Sequence, residues 1–400
     1  MNITRTQKPY KFRPPKYSPL LAPLLRKLSE LLFLRRRYRM RNVTWGGADK
    51  IRQLVSEGHA VLIAPNHADH ADPHVLQYIG KKSGLSLRFM AAREGFEAGP
   101  LSSFVLQRFG AFSVDRDGAD LSAFKAALRI LQSEGAPLVV FPEGQIYHHH
   151  ERLDPLNEGV ATILLRASRR SPEDRGFYLV PSAMRYTYDD SVKETFSARL
   201  GVLEEQITWK PRNSLDVVDR IYRLGSGLLA LKEVEFLGHG ESGDLIERIT
   251  RLQDRLVAMV EEKHLSRPGA GSIPERVKVL RGKLRQVLTA RKSEISADEE
   301  MAIHDDLDTL FVAFQLYSYP GEYLKEDPSV DRVAETIFKL EEDVLSQENY
   351  PVPRDVHVEF GVPIEVKSFL SEHSLDVKSG VGPLTSRMSE MIRSMLETGP

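Results

Sequence analysis

A histidine and an aspartate, His67 and Asp72, stand five positions apart just after an apolar run. A neutral imidazole can take a proton from a hydroxyl group, and a carboxylate on its other ring nitrogen fixes the tautomer and stabilises the imidazolium. A regular helix would place the two side chains on different faces, so they can pair only where the turn is irregular. We expect Asp72 to be a helix N-cap with Pro73 at the first helical position. The pair predicts either a general base or a capping aspartate beside an ordinary loop histidine.

The segments around this pair predict a strand followed by a helix. Residues 60–64 form a short apolar run typical of a fully buried strand, and residues 73–79 predict the helix that follows. His67 would then lie on the turn at the carboxyl end of a strand. Ligands of open α/β sheets bind at that edge of the sheet.

Two other predicted strands also end in groups that can bind a ligand. Arg116 follows a short strand, and a guanidinium there can hold a phosphate through two hydrogen bonds. Residues 138–141 predict a buried strand that leads into Pro142, Glu143 and Gly144, and a glycine lets backbone approach a ligand closely. Taken singly, each of these signals is weak, because surface arginines and acids are common.

The order of these segments is more specific than any one of them. In chain order they are Asn66-His67 with four residues before Asp72, Gly110 to Asp115-Arg116, Phe141-Pro142-Glu143-Gly144, and Val180-Pro181. Together they resemble the four sequence blocks of the glycerolipid acyltransferase family, whose best-known members are the 1-acylglycerol-3-phosphate acyltransferases (PlsC-like). The resemblance covers residues 45–187 and a closing strand at 355–366, but neither the N-terminal arm nor the helical segment between them.

The resemblance implies a role for each matching residue. His67 would be the general base on the acceptor hydroxyl, Asp72 its orienting carboxylate, and Arg116 the group that holds the acceptor's phosphate. The other residues that it places in the substrate-binding site are Asn66, Pro142, Glu143 and Gly144, with Glu143 and Gly144 shaping the acceptor side, and Val180 and Pro181, which would close the acyl side.

The resemblance also implies the reaction. An O-acyltransferase of this type would move a fatty acyl group from acyl-CoA or acyl-carrier protein to a hydroxyl of a lysophospholipid or a glycerol-phosphate-type acceptor. The thioester is a co-substrate, and no further cofactor and no metal are expected. The chain contains no cysteine, so a thiol nucleophile is excluded and direct attack by the hydroxyl is the plain interpretation.

One departure from the family pattern concerns the acceptor. The family usually follows Glu-Gly with Thr-Arg, whereas here Gln145-Ile146 follows Gly144. A second phosphate-binding arginine is therefore missing unless Arg152 or Arg185 replaces it. Three histidines come next, at 148–150, and form either a solvated loop or part of the acceptor site.

The N-terminal arm combines an apolar stripe with positive charge. Residues 1–45 contain twelve Lys or Arg and one acid, whereas the whole chain has a net charge of −1. Five leucines, at 21, 24, 25, 28 and 32, would form one face of a helix, with arginines after it. This profile is typical of a helix that lies in an anionic membrane interface, although a helix packed on its own domain remains an alternative. No apolar run is long enough for a membrane span, and no signal peptide is recognisable. We expect a cytoplasmic protein that is peripheral on a membrane's cytoplasmic face, with no nucleic-acid partner.

The pattern of predicted elements indicates the fold class. Strands and helices alternate from residue 45 to about 186, helical periodicity dominates to about 350, and period-two alternation returns at 356–360. We predict an α/β fold with a mostly parallel twisted sheet flanked by helices and a large all-helical insertion before the last strand. The expected divisions are an arm (1–44), the first part of the acyltransferase domain (45–188), the insertion (189–350), the return strand (351–370) and a C-terminal helix (371–400).

Two other functions remain open from the residues alone. His67-Ala68-Asp69-His70 resembles the later part of the His-x-His-x-Asp-His signature of metallo-β-lactamase-like hydrolases, but Pro65 stands where the first histidine should be. A catalytically inactive, membrane-associated binding module would keep the fold and lose the chemistry.

Overall fold

A computed structural model describes residues 10–116, 118, 120–169, 174–207, 209–290 and 295–398. The chain divides into two compact units. Of the described residues, the sheet unit contains those within 10–115, 120–189 and 352–398, and the helical unit contains those within 190–351 together with Arg116 and Gly118. The parts of the predicted arm at 1–9 and of the predicted C-terminal helix at 399–400 lie outside the described residues.

The sheet unit is built on one mixed sheet. Its strands are β1 (Met40–Gly46), β2 (Ala60–Pro65), β3 (Arg88–Ala92), β4 (Ala111–Val114), β5 (Leu138–Val139), β6 (Phe177–Tyr188), β7 (Arg354–Phe360) and β8 (Ile364–Glu365). The spatial order is β1-β7-β6-β2-β5-β3-β4, with β8 beside the start of β6. Strands β6, β2, β5, β3 and β4 run parallel, and β7 pairs antiparallel with β6 and parallel with β1. The predicted mostly parallel α/β fold, with helices inserted before the return strands, is confirmed.

Helices cover both faces of this sheet. They are α1 (Ala22–Leu28), α2 (Ala48–Ser56), α3 (Asp72–Lys82), α4 (Arg93–Glu97), α5 (Pro100–Arg108), α6 (Leu121–Arg129) and α7 (Gly159–Ser168). After the helical unit come α15 (Val366–Glu372) and α16 (Val381–Thr398). Alternate residues of β2, including Leu62, pack in a core with α6, α7, α15 and α16. Val61 and Ile63 point the other way and are also buried, so β2 is covered on both faces, as its continuous apolar sequence predicts.

Strand β6 passes through Pro181 without ending there. It continues to Tyr188 and pairs first with β8 and then with β7. The carbonyl of Pro181 accepts a hydrogen bond of 2.8 Å from Gly361, which lies between those two partner strands. Since the N–H and C=O of one strand residue point to the same side, the N–H that proline lacks would face this gap in the ladder. The proline is therefore tolerated inside the strand.

The start of α3 also differs from the prediction. Asp72 is the first residue of the helix, Ala71 is the N-cap, and no side chain caps the helix. The Asp72 carboxylate is instead turned back toward the preceding loop, where it accepts hydrogen bonds from His67 and from the backbone N–H of Asp69. Asp120, by contrast, does cap a helix: its Oδ1 accepts from the N–H groups of Ser122 and Ala123 at the start of α6, and its Oδ2 accepts from the Tyr10 hydroxyl and the N–H of Asp115.

The described part of the N-terminal arm packs on the sheet unit. Helix α1 continues as a π-helical segment, Ser29–Arg37, and β1 then joins the edge of the sheet. Before α1, the backbone N–H groups of Lys16 and Ser18 donate to carbonyls of α5. The arm is therefore anchored by Ala22 and Leu34, which are fully buried. Its apolar face remains exposed, with Leu20, Leu21, Leu24, Leu28, Leu31, Leu32 and Phe33 each at least 38% accessible.

The described residues of the helical unit form helices and turns around their own core. Its helices are α8 (Lys193–Gln206), α9 (Val217–Leu237), α10 (Leu245–His264), α11 (Ile273–Ala290), α12 (Ala297–Tyr317), α13 (Tyr323–Glu326) and α14 (Val330–Leu345). The apolar faces predicted on α10 and α11 meet in one core with α12. Buried arginines are paired here, since Arg220 binds both oxygens of Glu204 and Arg248 both oxygens of Glu233. Among the described residues of the chain, no helix is both long and apolar enough to span a bilayer.

Two glycines at the ends of α2 predict different costs of substitution. Gly47 and Gly58 both have positive φ, 77° and 85°, so an added Cβ strains either site by about 1–2 kcal/mol. At Gly47 that Cβ would also lie 2.2 Å from the carbonyl oxygen of Phe360, whereas at Gly58 nothing lies within 4 Å. We expect Gly47→Ala to lower the free energy of unfolding more than Gly58→Ala by at least about 1 kcal/mol, measured by chemical denaturation. Equal losses would contradict the close approach of β7 to Gly47.

Candidate active site

The candidate site lies at the carboxyl ends of the parallel strands. His67 follows β2 by two residues, and Glu143 follows β5 by four. Because β2 and β5 are hydrogen-bonded neighbours, their two following loops meet at the same edge of the sheet. The backbone N–H of His67 donates to Oε1 of Glu143 over 2.6 Å, and this bond joins the two loops directly.

His67 and Asp72 are paired as the spacing suggested. His67 Nδ1 lies 2.8 Å from Asp72 Oδ2. The imidazole stacks on Phe141, with ring centroids 3.9 Å apart and planes 20° from parallel. The side chain of His67 retains 15% of its accessibility, whereas that of Asp72 has none. The contact with Asp72 occupies Nδ1, so Nε2 is the nitrogen that can take a proton from a substrate.

Asp72 receives donors on both carboxylate oxygens. Its Oδ2 accepts from His67 and, over 3.0 Å, from the backbone N–H of Asp69, and its Oδ1 accepts from the hydroxyl of Tyr186. A carboxylate that accepts three hydrogen bonds is compensated for its complete burial in the ionised form. Because this carboxylate only accepts, His67 Nδ1 carries the proton and Nε2 holds the free lone pair. Such an arrangement can orient a general base.

Glu143 is a structural carboxyl group as much as a site residue. It is 4% exposed, and its Oε2 accepts from the backbone N–H of Asp154 over 3.2 Å while Oε1 accepts from His67. Burial raises its pKa well above the ordinary value, the charges of Asp154 and Asp72 raise it further, and the two backbone donors oppose this. Gly144, with φ of 75°, turns the chain, and Asn157 donates to the carbonyls of Pro142 and Glu143. Pro142, Glu143 and Gly144 thus form one tightly held turn beside His67.

A buried ion pair that the sequence analysis missed holds the loop between His67 and Asp72. Asp69 accepts two hydrogen bonds from Arg354 of β7, at 2.7 and 2.8 Å, and one from the N–H of Ala71 at 2.7 Å. Burial raises the pKa of Asp69, but the charge and hydrogen bonds of Arg354 lower it by a larger amount, so that it falls to about 2. One signal was present in the sequence: Arg354 is in phase with the buried residues Val356 and Val358 of an alternating strand. A charge at such a position requires a partner.

Three predicted substrate-binding residues are held within the sheet. Asn66 is buried, its amide donates to the carbonyl of Met184, and its side-chain oxygen accepts from the N–H of Met184. It therefore clamps the end of β2 to β6. Val180 and Pro181 are buried in the middle of β6, opposite Ile63 and Ala64 of β2. Arg116 is grouped with the helical unit, so its predicted contact with the acceptor stays a prediction.

The histidine run is not a solvated loop. His149 and His150 are buried, and His149 Nε2 lies 2.6 Å from Asp154 Oδ2. Of the two arginines considered as replacements for the missing one, Arg185 donates to the carbonyl of Leu396 and to Glu151. Arg152 is exposed.

Three side chains that could in principle bind a metal, those of His67, Asp69 and His74, have other polar partners in the sheet unit. Asp69 is held by Arg354, His67 by Asp72, and His74 Nδ1 lies 2.7 Å from the hydroxyl of Ser29. Burial, followed by the charge of Arg37, lowers the pKa of His74 to about 4. His74 stacks on Phe33 and fastens α3 to the N-terminal segment.

Comparisons with known proteins agree with the motif order. Residues 42–185 match the family model described as acyltransferase. The chain is similar to the glycerol-3-phosphate acyltransferase of Aeromonas hydrophila subsp. hydrophila, with 30% identity over 182 residues, 41% of this chain and 22% of that protein. It is also similar to the enzymes of the same name from Alteromonas mediterranea (26% identity; 46% of this chain, 22% of that protein) and Pseudomonas fluorescens (33% identity; 30% and 14%). The resemblance to the glycerolipid acyltransferase family is confirmed.

The match covers only part of these relatives. The chain spans about a fifth of the length of the first two, and the family model covers neither the helical unit nor the return strands. No solved structure matches the chain at a significant level.

The Asp69–Arg354 pair predicts a pH dependence of stability. The folded-state pKa of Asp69 is about 2, below the ordinary 3.8, so the pair's contribution is complete above pH ~4 and is lost as the pH falls from there toward 2. We expect the free energy of unfolding of the wild type to fall between pH ~4 and 2 by about 2 kcal/mol more than that of the double variant Asp69→Asn with Arg354→Met, which leaves no buried charge unpaired. Denaturant titrations across this range measure the difference. Parallel pH profiles for the two proteins would contradict the assignment.

Proposed function

We propose that this chain transfers a fatty acyl group from a thioester to a hydroxyl of a glycerol phosphate. The premise is that it belongs to the glycerolipid acyltransferase family through its domain at residues 42–185. The observation that carries the proposal is the hydrogen bond between His67 and a fully buried Asp72 at the carboxyl end of β2. It supplies an oriented base at the edge of the sheet where substrates of such folds bind.

The proposed reaction proceeds by direct attack. Nε2 of His67 takes the proton of the acceptor hydroxyl while the hydroxyl oxygen attacks the thioester carbonyl. The tetrahedral intermediate then collapses, the C–S bond breaks, and the leaving thiolate takes the proton from the imidazolium. Asp72 stays ionised throughout and stabilises the imidazolium. The products are an ester and a free thiol, from acyl-CoA or from acyl-carrier protein.

For the acceptor we propose glycerol 3-phosphate rather than its acylated derivative. The name of the similar enzymes supports this choice. The turn of Pro142, Glu143 and Gly144 would shape the acceptor side of the site beside His67, and Arg116 would hold the phosphate. Asn66, Val180 and Pro181 would contribute indirectly, by holding β2 and β6 in register beside the site.

We further propose that the exposed face of α1 and the π-helical segment brings the protein to an anionic membrane surface. Exposed leucines recur at three- and four-residue intervals from Leu21 to Leu32. Lys27 and Arg36 are exposed among and after them. An apolar stripe with basic neighbours fits a lipid interface, where burial of each leucine contributes up to about 1.5–3 kcal/mol and each basic residue about 1 kcal/mol.

The dyad is tested by removing the base. We expect His67→Ala to lower kcat for acyl-CoA and glycerol 3-phosphate by about 10²–10⁴-fold, because the acceptor hydroxyl loses its proton acceptor. Release of the CoA thiol can be followed with a thiol reagent without background, since the chain contains no cysteine.

The matched control for this substitution is His239→Ala, an exposed histidine in the helical unit, which should leave kcat unchanged. Near-normal turnover by a folded His67→Ala protein would refute the catalytic assignment. A wild-type rate that is higher with lysophosphatidate than with glycerol 3-phosphate would reverse the proposed acceptor and leave the dyad intact.

The membrane proposal is tested by substitution rather than deletion, because removal of the arm would also remove Leu34 and β1 from the core and the sheet. We expect the triple variant Leu24→Gln, Leu28→Gln and Leu31→Gln to bind anionic phosphatidylglycerol vesicles on the order of 100-fold more weakly in a sedimentation assay. Turnover of a water-soluble acceptor should be unaffected.

Three other exposed leucines, Leu121, Leu215 and Leu231, provide the control, since their replacement by Gln removes the same apolar groups elsewhere. That variant should bind vesicles as the wild type does. Equal loss in both variants, or in neither, would show that the α1 face is not the membrane contact.

A further inference from the structure

Two groups besides His67 donate hydrogen bonds to the Asp72 carboxylate, and both belong to residues that contact Arg354. The Tyr186 hydroxyl donates to Oδ1 of Asp72, and the backbone N–H of Asp69 donates to Oδ2. Arg354 binds the Asp69 carboxylate through two hydrogen bonds, and its guanidinium carbon lies 4.8 Å from the centroid of the Tyr186 ring. All of these residues belong to the sheet unit.

Arg354 is held in one orientation by its surroundings. It has no exposed surface. Its Nε donates to the carbonyl of Tyr38 over 3.2 Å, and one terminal nitrogen lies 3.1 Å from the hydroxyl of Tyr188. A planar guanidinium with this many fixed partners has little freedom to move, so the Asp69 carboxylate that it grips is fixed as well.

The loop between His67 and Asp72 depends on that grip. The Asp69 carboxylate accepts from the N–H of Ala71, and the Asp69 carbonyl accepts from the N–H of Asp72 over 3.1 Å. These bonds shape the irregular turn that lets Asp72 face His67 instead of capping α3. A fixed Asp69 therefore fixes both the backbone and the side chain of Asp72.

We propose that Arg354, Asp69 and Tyr186 are positioning residues that aim the Asp72 carboxylate at His67, so that the strand added after the helical unit completes the catalytic dyad. This inference rests on the proposed function of that dyad. None of the three touches the reacting atoms. Their effect passes through Asp72, whose Oδ1 accepts from Tyr186 and whose Oδ2 accepts from the backbone of Asp69.

Tyr186 is suited to this task at every working pH. Burial raises its pKa well above the ordinary value of 10, and the charges of Asp72 and Asp69 raise it further. The phenol therefore keeps its proton and remains a donor to Asp72. The guanidinium of Arg354 also lies over the face of the Tyr186 ring, where a cation–π attraction stabilises it.

The first test is Tyr186→Phe in the full chain, which removes one hydroxyl and keeps the ring. We expect kcat to fall by about 10- to 100-fold with little change in the Michaelis constants, because the defect concerns an interaction that strengthens in the transition state. The downfield proton NMR signal of His67 Nδ1, assigned with ¹⁵N-labelled histidine, should shift, because Asp72 loses a competing donor. Tyr178→Phe, the same change on the same strand away from Asp72, should alter neither quantity.

The second test removes the ion pair as a unit. The double variant Asp69→Asn with Arg354→Met leaves no buried charge unpaired, so it should fold, which circular dichroism can check. We expect a loss of kcat similar to that of Tyr186→Phe, and a broadened Nδ1 signal. Arg354→Lys keeps the charge without the two-pronged geometry and should lie between the wild type and the double variant.

Folded variants with wild-type kcat and an unchanged Nδ1 signal would overturn the proposal. Loss of activity together with raised Michaelis constants and an unchanged signal would also overturn it, because that result indicates a general structural defect. If the wild type itself transfers no acyl group, the proposed function fails, whereas the NMR signal still decides whether the three residues position Asp72.

Discussion

The candidate site depends on a completely buried carboxylate, that of Asp72. A charge without solvent is stable only where hydrogen bonds replace its hydration, and Asp72 obtains them from His67, Tyr186 and the backbone of Asp69. These donors come from the loop after β2 and from β6. The parallel pairing of those strands, clamped by Asn66, is therefore a condition for the dyad to exist.

The return of the chain to the sheet after residue 351 also affects the loop that holds Asp72. Strand β7 closes one side of the sheet by pairing with β6 and β1, and it also carries Arg354 to Asp69, 285 residues away in sequence. The helical unit between β6 and β7 has its own core and its own buried ion pairs. The sheet is completed only when the chain on both sides of that unit has folded.

Local features were the most predictable from the sequence. The strand of residues 60–64 and the turn after it follow from short-range patterning, and the order of the four motifs indicated the family. Asp72 failed as a predicted N-cap because a tertiary partner, His67, competes for its carboxylate. Pro181 is accommodated inside β6 because the missing N–H faces a gap between β8 and β7, which no local signal reveals. The Asp69–Arg354 pair was missed because its partners are distant in sequence, although the phase of Arg354 among buried residues of β7 required an acid somewhere.

In the proposed reaction, His67 activates a hydroxyl of an acceptor rather than water. The most direct test is mass spectrometry of the products formed by the full chain from palmitoyl-CoA and glycerol 3-phosphate. We expect palmitoyl-glycerol 3-phosphate in a one-to-one ratio with free CoA, and no turnover without the acceptor. Free palmitate in that same ratio, or formed equally with and without glycerol 3-phosphate, would identify a thioester hydrolase and refute acyl transfer to the acceptor.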